Sequence, residues 1–156
     1  MKKLLVLVCM VCLLGSVSAQ CTSPAPATSE KMEVEKAKVI KISQSEFVKK
    51  VFDYKDATAV YKGKQPIVVD CYADWCGPCR RLAPTIEELA AEYDGQVVFY
   101  KINVDEAKEM ARMLEISSIP TILYIKPETQ PQRTVGLLDK SAVVKIIDGY
   151  LLEKEE

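Results

Sequence analysis

At 156 residues, 49% of them apolar and with a formal net charge of −1, the chain can bury one substantial core but not two independent ones. No sustained basic stripe runs along it, so it lacks the electrostatic footprint of a nucleic-acid partner. Histidine is absent, which excludes Cys-His and Ser-His nucleophile systems and removes the commonest metal ligand.

Met1-Lys2-Lys3, the apolar run Leu4 to Leu14 and the small residues Gly15 to Ala19 have the three regions of a secretory signal peptide, expected to span 1–19. The run is too short for a comfortable membrane span. Two processing routes stay open. Val17-Ser18-Ala19 suits cleavage before Gln20, giving a soluble product. Alternatively, Cys21 resembles a lipidated cysteine, in which case the signal runs to residue 20 and Cys21 carries a lipid anchor. Either way the expected location is outside the cytoplasm, in a periplasm-type compartment. Cys9 and Cys12 leave with the leader, so Cys21, Cys71, Cys76 and Cys79 are too few to staple a scaffold of this size. Residues 20–38 are rich in Pro, Ala, Ser, Thr and charge and read as a flexible linker. A folded domain is expected over 39–153.

Within that domain Val39 to Ile42 reads as a short strand. Ser43-Gln44-Ser45-Glu46 has capping-box spacing and opens a helix through Phe47, Val48, Val51 and Phe52. Ile67 to Tyr72 is a near-continuous apolar run, as in a strand covered on both faces. Leu82, Ile86, Leu89, Ala90 and Tyr93 recur at helical spacing until Asp94-Gly95, with Pro84 expected to kink the helix. Val97 to Val104 is a second buried strand, and Ala107, Met110, Ala111 and Leu114 mark a short helix. Pro120 to Ile125 and Gln132 to Val135 form a hairpin across Lys126 to Pro131. A last helix buries Val143, Val144, Ile146, Ile147, Tyr150 and Leu151. The order β-α-β-α-β-α-β-β-α predicts an α/β fold with a central mixed sheet flanked by helices.

Trp75-Cys76-Gly77-Pro78-Cys79 falls between the buried strand and the following helix. Exposed N–H groups and partial positive charge at a helix start stabilise a thiolate over a thiol, and the thiolate is the attacking species. Cysteines three positions apart share one side of a helical turn. Their Cβ atoms must come closer than about 5–6 Å before a disulfide can close, so the turn has to tighten, which Gly77 and Pro78 suit. Cys76 can then attack a substrate disulfide, with Cys79 in place to resolve the mixed disulfide. Half a zinc site and an inert structural disulfide are the other readings; the second half of a zinc site is missing, and so short a loop stabilises little.

From Ile67 to about Leu151 the chain resembles the thioredoxin family. The residues that carry the likeness are Val69-Asp70, Ala73 to Arg80, Pro84, Lys101-Ile102-Asn103-Val104-Asp105, Ile119-Pro120-Thr121 and Val135-Gly136. The resemblance implies the thioredoxin fold, with Cys76 the exposed nucleophile, Cys79 the buried resolving thiol and Pro120 in the cis form beside the disulfide. It also implies that Asp70 and Lys101 lie behind the site and assist proton removal from the resolving thiol. Asp70 amid apolar neighbours is costly to bury charged, so its pKa is expected to rise. Trp75, Gly77, Pro78, Ile119, Pro120 and Gly136 are expected to contact substrate, although core packing is an alternative for Trp75. Cys71 reads as a small buried hydrophobe. Asp53 to Gln65 is a longer connection than compact family members have.

The expected function is thiol:disulfide exchange, with no cofactor beyond a Cys76–Cys79 redox disulfide and no metal. By likeness, Gly-Pro between the cysteines favours a reductant of disulfides in exported proteins, re-reduced by a membrane electron donor; a monomer is expected. An oxidant or isomerase is one alternative, and a thioredoxin-fold binding or chaperone module with incidental thiols is another.

Overall fold

The computed structural model describes residues 38–153. The signal-peptide and lipid-anchor expectations, and all of the linker but Lys38, lie outside the described residues.

Five strands and four helices alternate in the predicted order: β1 (Ile40–Lys41), α1 (Gln44–Lys50), β2 (Ile67–Tyr72), α2 (Gly77–Glu92), β3 (Val98–Asn103), α3 (Lys108–Met113), β4 (Thr121–Ile125), β5 (Gln132–Val135) and α4 (Lys140–Ile146). One mixed sheet results, in the order β1-β3-β2-β4-β5. Strand β3 runs parallel to β1 and β2, as a crossover through α2 requires. Strand β4 is antiparallel to β2 and to β5, so β2 is central, as its near-continuous apolar run predicts.

The strand period of two splits the core between the faces. Val68, Phe99, Ile122 and Tyr124 pack with Leu82, Ile86 and Leu89 of α2 and Val143 of α4. Ile67, Val69, Cys71, Ile102, Leu123 and Ile125 pack on the other face with Phe47 and Met110. Asp70 keeps step with Val68, and Lys101 with Phe99, so both belong to the face covered by α2.

The capping box at α1 forms as expected: Ser43 Oγ accepts from the Glu46 N–H, and the Ser43 N–H donates to Glu46 Oε2 at 2.9 Å. The helix ends earlier than predicted. Val51 leaves helical geometry at φ −116°, ψ −84°, and Asp53 Oδ1 accepts from the Lys55 N–H, drawing the chain into a turn. Phe52 is nonetheless buried, edge-on to Phe47 with ring centroids 5.3 Å apart. The long connection after it adds Tyr54 and Tyr61 to the same core, and Glu109 of α3 fastens it by accepting from Tyr54 Oη and pairing with Lys55.

Helix α2 continues through Pro84, which has no N–H to give the Arg80 carbonyl. Beyond Ile146 the last helix widens into a π-helical turn, Ile147–Leu151, that sequence periodicity did not signal. Ile147 and Leu151 both stay buried in it.

Candidate active site

Strand β2 delivers the chain to one end of the sheet, and α2 starts there. Cys76 is the N-cap of α2, with extended backbone, and its Sγ accepts from the Cys79 N–H at 3.2 Å. A helix start leaves such N–H groups without partners of their own. Here one of them is aimed at sulfur. The Cys76 N–H itself donates to the Ala73 carbonyl at 3.0 Å, which fixes the turn leading in.

Cys76 and Cys79 are disulfide-bonded, with Cα atoms 5.3 Å apart. The two half-cystines are equally covered, each 3% exposed, so the oxidised form does not show the exposed Cys76 that the family resemblance implies. Their asymmetry is positional instead: Cys76 caps the helix, whereas Cys79 lies inside its first turn and lines a cavity of about 210 Å³ with Asp70, Tyr72, Ala83 and Lys101. Ala73 and Ile119 complete the apolar cluster around the pair.

Asp70 is 4% exposed, and its Oδ1 has no hydrogen-bond partner among the described residues. Burial pushes its carboxyl from 3.8 up to about 6, against the opposing pull of the Lys101 ammonium. The two residues are register partners across β2 and β3. Cys71, next in the strand, points to the opposite face, is a free thiol and is fully covered. Burial and then the nearby Asp70 charge push that thiol far up.

Trp75 is 69% exposed, so it is not a core residue, and its Nε1 donates to Asp105 Oδ2 at 2.8 Å. The Ile119–Pro120 peptide bond is cis, the form the resemblance implies. The Pro120 carbonyl accepts from the Gly136 N–H at 2.8 Å. Gly136 has φ +92°, in the region that favours glycine. Exposed Val135 and Leu137 flank it. Gly77 and Pro78 open α2 as its first two residues. Thus the sheet end and the α2 start assemble the disulfide, the cis proline and the Asp70–Lys101 pair.

The profile of one family, described as Thioredoxin, matches residues 38–149. The chain belongs to the thioredoxin family. Among curated thioredoxins, that of Borreliella burgdorferi is 38% identical over 112 residues, 71% of this chain and 96% of that protein. The chloroplastic M-type thioredoxin of Spinacia oleracea is 42% identical over 110 residues, 69% of this chain but only 61% of that protein. The thioredoxin of Chlorobaculum thiosulfatiphilum is 40% identical over 94 residues, 60% of this chain and 87% of that protein. Family membership and the bonded cysteine pair make this thioredoxin a thiol:disulfide oxidoreductase, in a family that acts on disulfide-containing proteins.

Among the described residues no cluster of three or more His, Cys, Asp or Glu side chains has metal-site geometry, and no helix is long and apolar enough to cross a membrane. A larger hollow of about 560 Å³, lined by Arg112, Glu115, Thr121 and Arg133 among others, holds neither cysteine.

Sequence reasoning gave no role to four polar residues at this end of the sheet. Asn103 Nδ2 donates to Asp74 Oδ2, Asn103 Oδ1 accepts from the Asp105 N–H, and Arg80 Nη1 donates to the Asp74 carbonyl. The available signals were their places among the residues that carry the family likeness and the polar Asn103 and Asp105 directly after a buried strand.

Proposed function

We propose that this thioredoxin reduces disulfides of exported proteins outside the cytoplasm through a mixed-disulfide intermediate. The observation that carries the chemistry is the Cys79 N–H directed at Cys76 Sγ from the first turn of α2. An N–H dipole at that sulfur favours the anion over the thiol, so Cys76 is the attacking group.

In the first step the Cys76 thiolate attacks one sulfur of the substrate disulfide. The substrate S–S bond breaks, and the departing thiolate takes a proton from water. In the second step Cys79 loses its proton, and its sulfur attacks Cys76 Sγ. The mixed disulfide breaks, the second substrate thiol is released and protonated, and the Cys76–Cys79 bond forms. Two electrons have passed from the dithiol to the substrate.

Asp70 is assigned the proton from Cys79. Its cavity reaches Cys79, it is ionised at neutral pH yet close enough to neutrality to accept a proton, and a space of about 210 Å³ has ample room for a water to bridge the two groups. Lys101 opposes the rise in Asp70 basicity, so it tunes the acceptor. Trp75, Gly77, Pro78, Ile119, Pro120 and Gly136 form the wall against which an extended substrate segment lies.

Export is supported by the leader over 1–19, and the reducing direction by Gly77-Pro78 between the cysteines. Continued turnover there needs a membrane donor that returns two electrons to the disulfide. Two measurements test this reading. Equilibration of the Cys76/Cys79 couple with glutathione gives a potential at the reducing end of the family range, near −270 mV. A value near −120 mV makes the protein an oxidant or isomerase instead. Fractionation of cells making the full chain, with the mass of the mature N-terminus, gives an exported product starting at Gln20 or at lipidated Cys21; an unprocessed cytoplasmic chain contradicts export.

A further inference from the structure

The loop that leads into Cys76 is held from outside by a short polar relay. Asn103, the last residue of β3, is 3% exposed, yet its amide is satisfied on both sides. Nδ2 donates to Asp74 Oδ2 at 3.1 Å, and Oδ1 accepts from the Asp105 N–H at 2.9 Å. Carboxylate on one side and N–H on the other leave only one orientation for the amide. Asp105, positioned by that bond, accepts the Trp75 indole N–H at 2.8 Å. Adjacent residues of the β2–α2 loop, Asp74 and Trp75, are therefore fixed through one buried side chain to the segment after β3. Trp75 needs this support, because at 69% exposure packing alone leaves its ring free to change rotamer.

We propose that Asn103 and Asp105 are positioning residues that hold the Trp75 ring as a fixed wall beside the disulfide, so that protein substrates meet a preorganised surface. The inference rests on the reading of Trp75 as a substrate contact. Loss of the relay affects the capture of a protein disulfide more than the chemistry at sulfur, since neither residue touches Cys76 or Cys79 through any of these bonds. Preorganisation lowers the ordering cost of binding, so its loss shows in KM.

The test uses the full chain, with insulin as the protein disulfide and dithiothreitol as the electron source. Asp105→Ala is expected to raise KM about fivefold with kcat changed less than twofold. Asp105→Asn, which keeps an oxygen acceptor for the indole, restores KM. Trp75 is the only tryptophan, so its fluorescence anisotropy reads the ring directly: it falls in Asp105→Ala and recovers in Asp105→Asn. Asn103→Ala gives the same signature, and combining it with Asp105→Ala adds less than the two single effects together. Unchanged KM and anisotropy in Asp105→Ala, failure of Asp105→Asn to restore them, or full additivity overturns the proposal. Trp75→Ala separates the two layers. If it leaves KM at the parent value, the substrate-contact reading itself fails; if it raises KM while Asp105→Ala does not, only the positioning role fails.

Discussion

The Cys79 N–H meets Cys76 Sγ at 3.2 Å, at the point where α2 begins. One residue thus supplies both the donor that stabilises the attacking sulfur and the thiol that later attacks that sulfur to displace the substrate. In the reduced protein the same donor favours the Cys76 anion. Limiting iodoacetamide at neutral pH should therefore modify Cys76 first, with Cys79 following and buried Cys71 last, as peptide mass spectrometry reads. Prior modification of Cys79 or Cys71 contradicts this order.

Asp70 links the site to stability. Its carboxyl titrates higher in the folded chain, at about 6 against an ordinary 3.8, so between those values the native state binds more protons than the unfolded state. Stability contributed by this group accordingly falls as pH rises from about 4 to about 6 and is level above. Asp70→Asn removes that loss: in urea titrations the variant gains on the parent across this window, by at most about 3 kcal/mol at neutral pH. Its insulin reduction at pH 7 falls on the order of tenfold or more. A variant no more stable than its parent at pH 7 refutes the buried charge.

Cys71 faces away from the disulfide, fully covered among Ile67, Val69 and Ile102. Cys71→Ala should cost about 1–2 kcal/mol in denaturant unfolding, from lost packing, and leave insulin reduction at the parent rate. A marked loss of activity assigns Cys71 a redox role.

Gly136 is held at φ +92°, and a Cβ there meets nothing within 4 Å. The cost of Gly136→Ala is then conformational, about 1–2 kcal/mol, and it loosens the bond to the Pro120 carbonyl. Unfolding and KM for insulin should both register it; an unaffected variant shows that the backbone relaxes without consequence.

Much of this architecture was legible because period and punctuation agreed. The near-continuous apolar run Ile67 to Tyr72 marked the central strand, Ser43 and Glu46 marked a helix start, and Cys76 at a strand-to-helix junction marked the chemistry. Asp70 stood out because a carboxylate in such a run demands a reason. What the sequence hid depends on contacts between distant segments. Asn103 joins Asp74 only because β3 ends beside the β2–α2 loop. The equal covering of Cys76 and Cys79 reflects the closed disulfide, a state residue types do not specify. Helix α1 stopped short of Val51 because Asp53 offered a competing turn, whereas Phe52 kept its burial through Phe47. The π-helical turn over Ile147–Leu151 left no mark in a periodicity that fits an ordinary helix almost as well.

The central claim is that Cys76 captures and Cys79 releases. Its most direct test is to mix reduced Cys79→Ser chain with insulin and follow the products by non-reducing electrophoresis and mass spectrometry. A stable, dithiothreitol-sensitive adduct through Cys76 and loss of multiple turnover are predicted. Turnover at the parent rate, or an adduct formed through Cys71, contradicts the account.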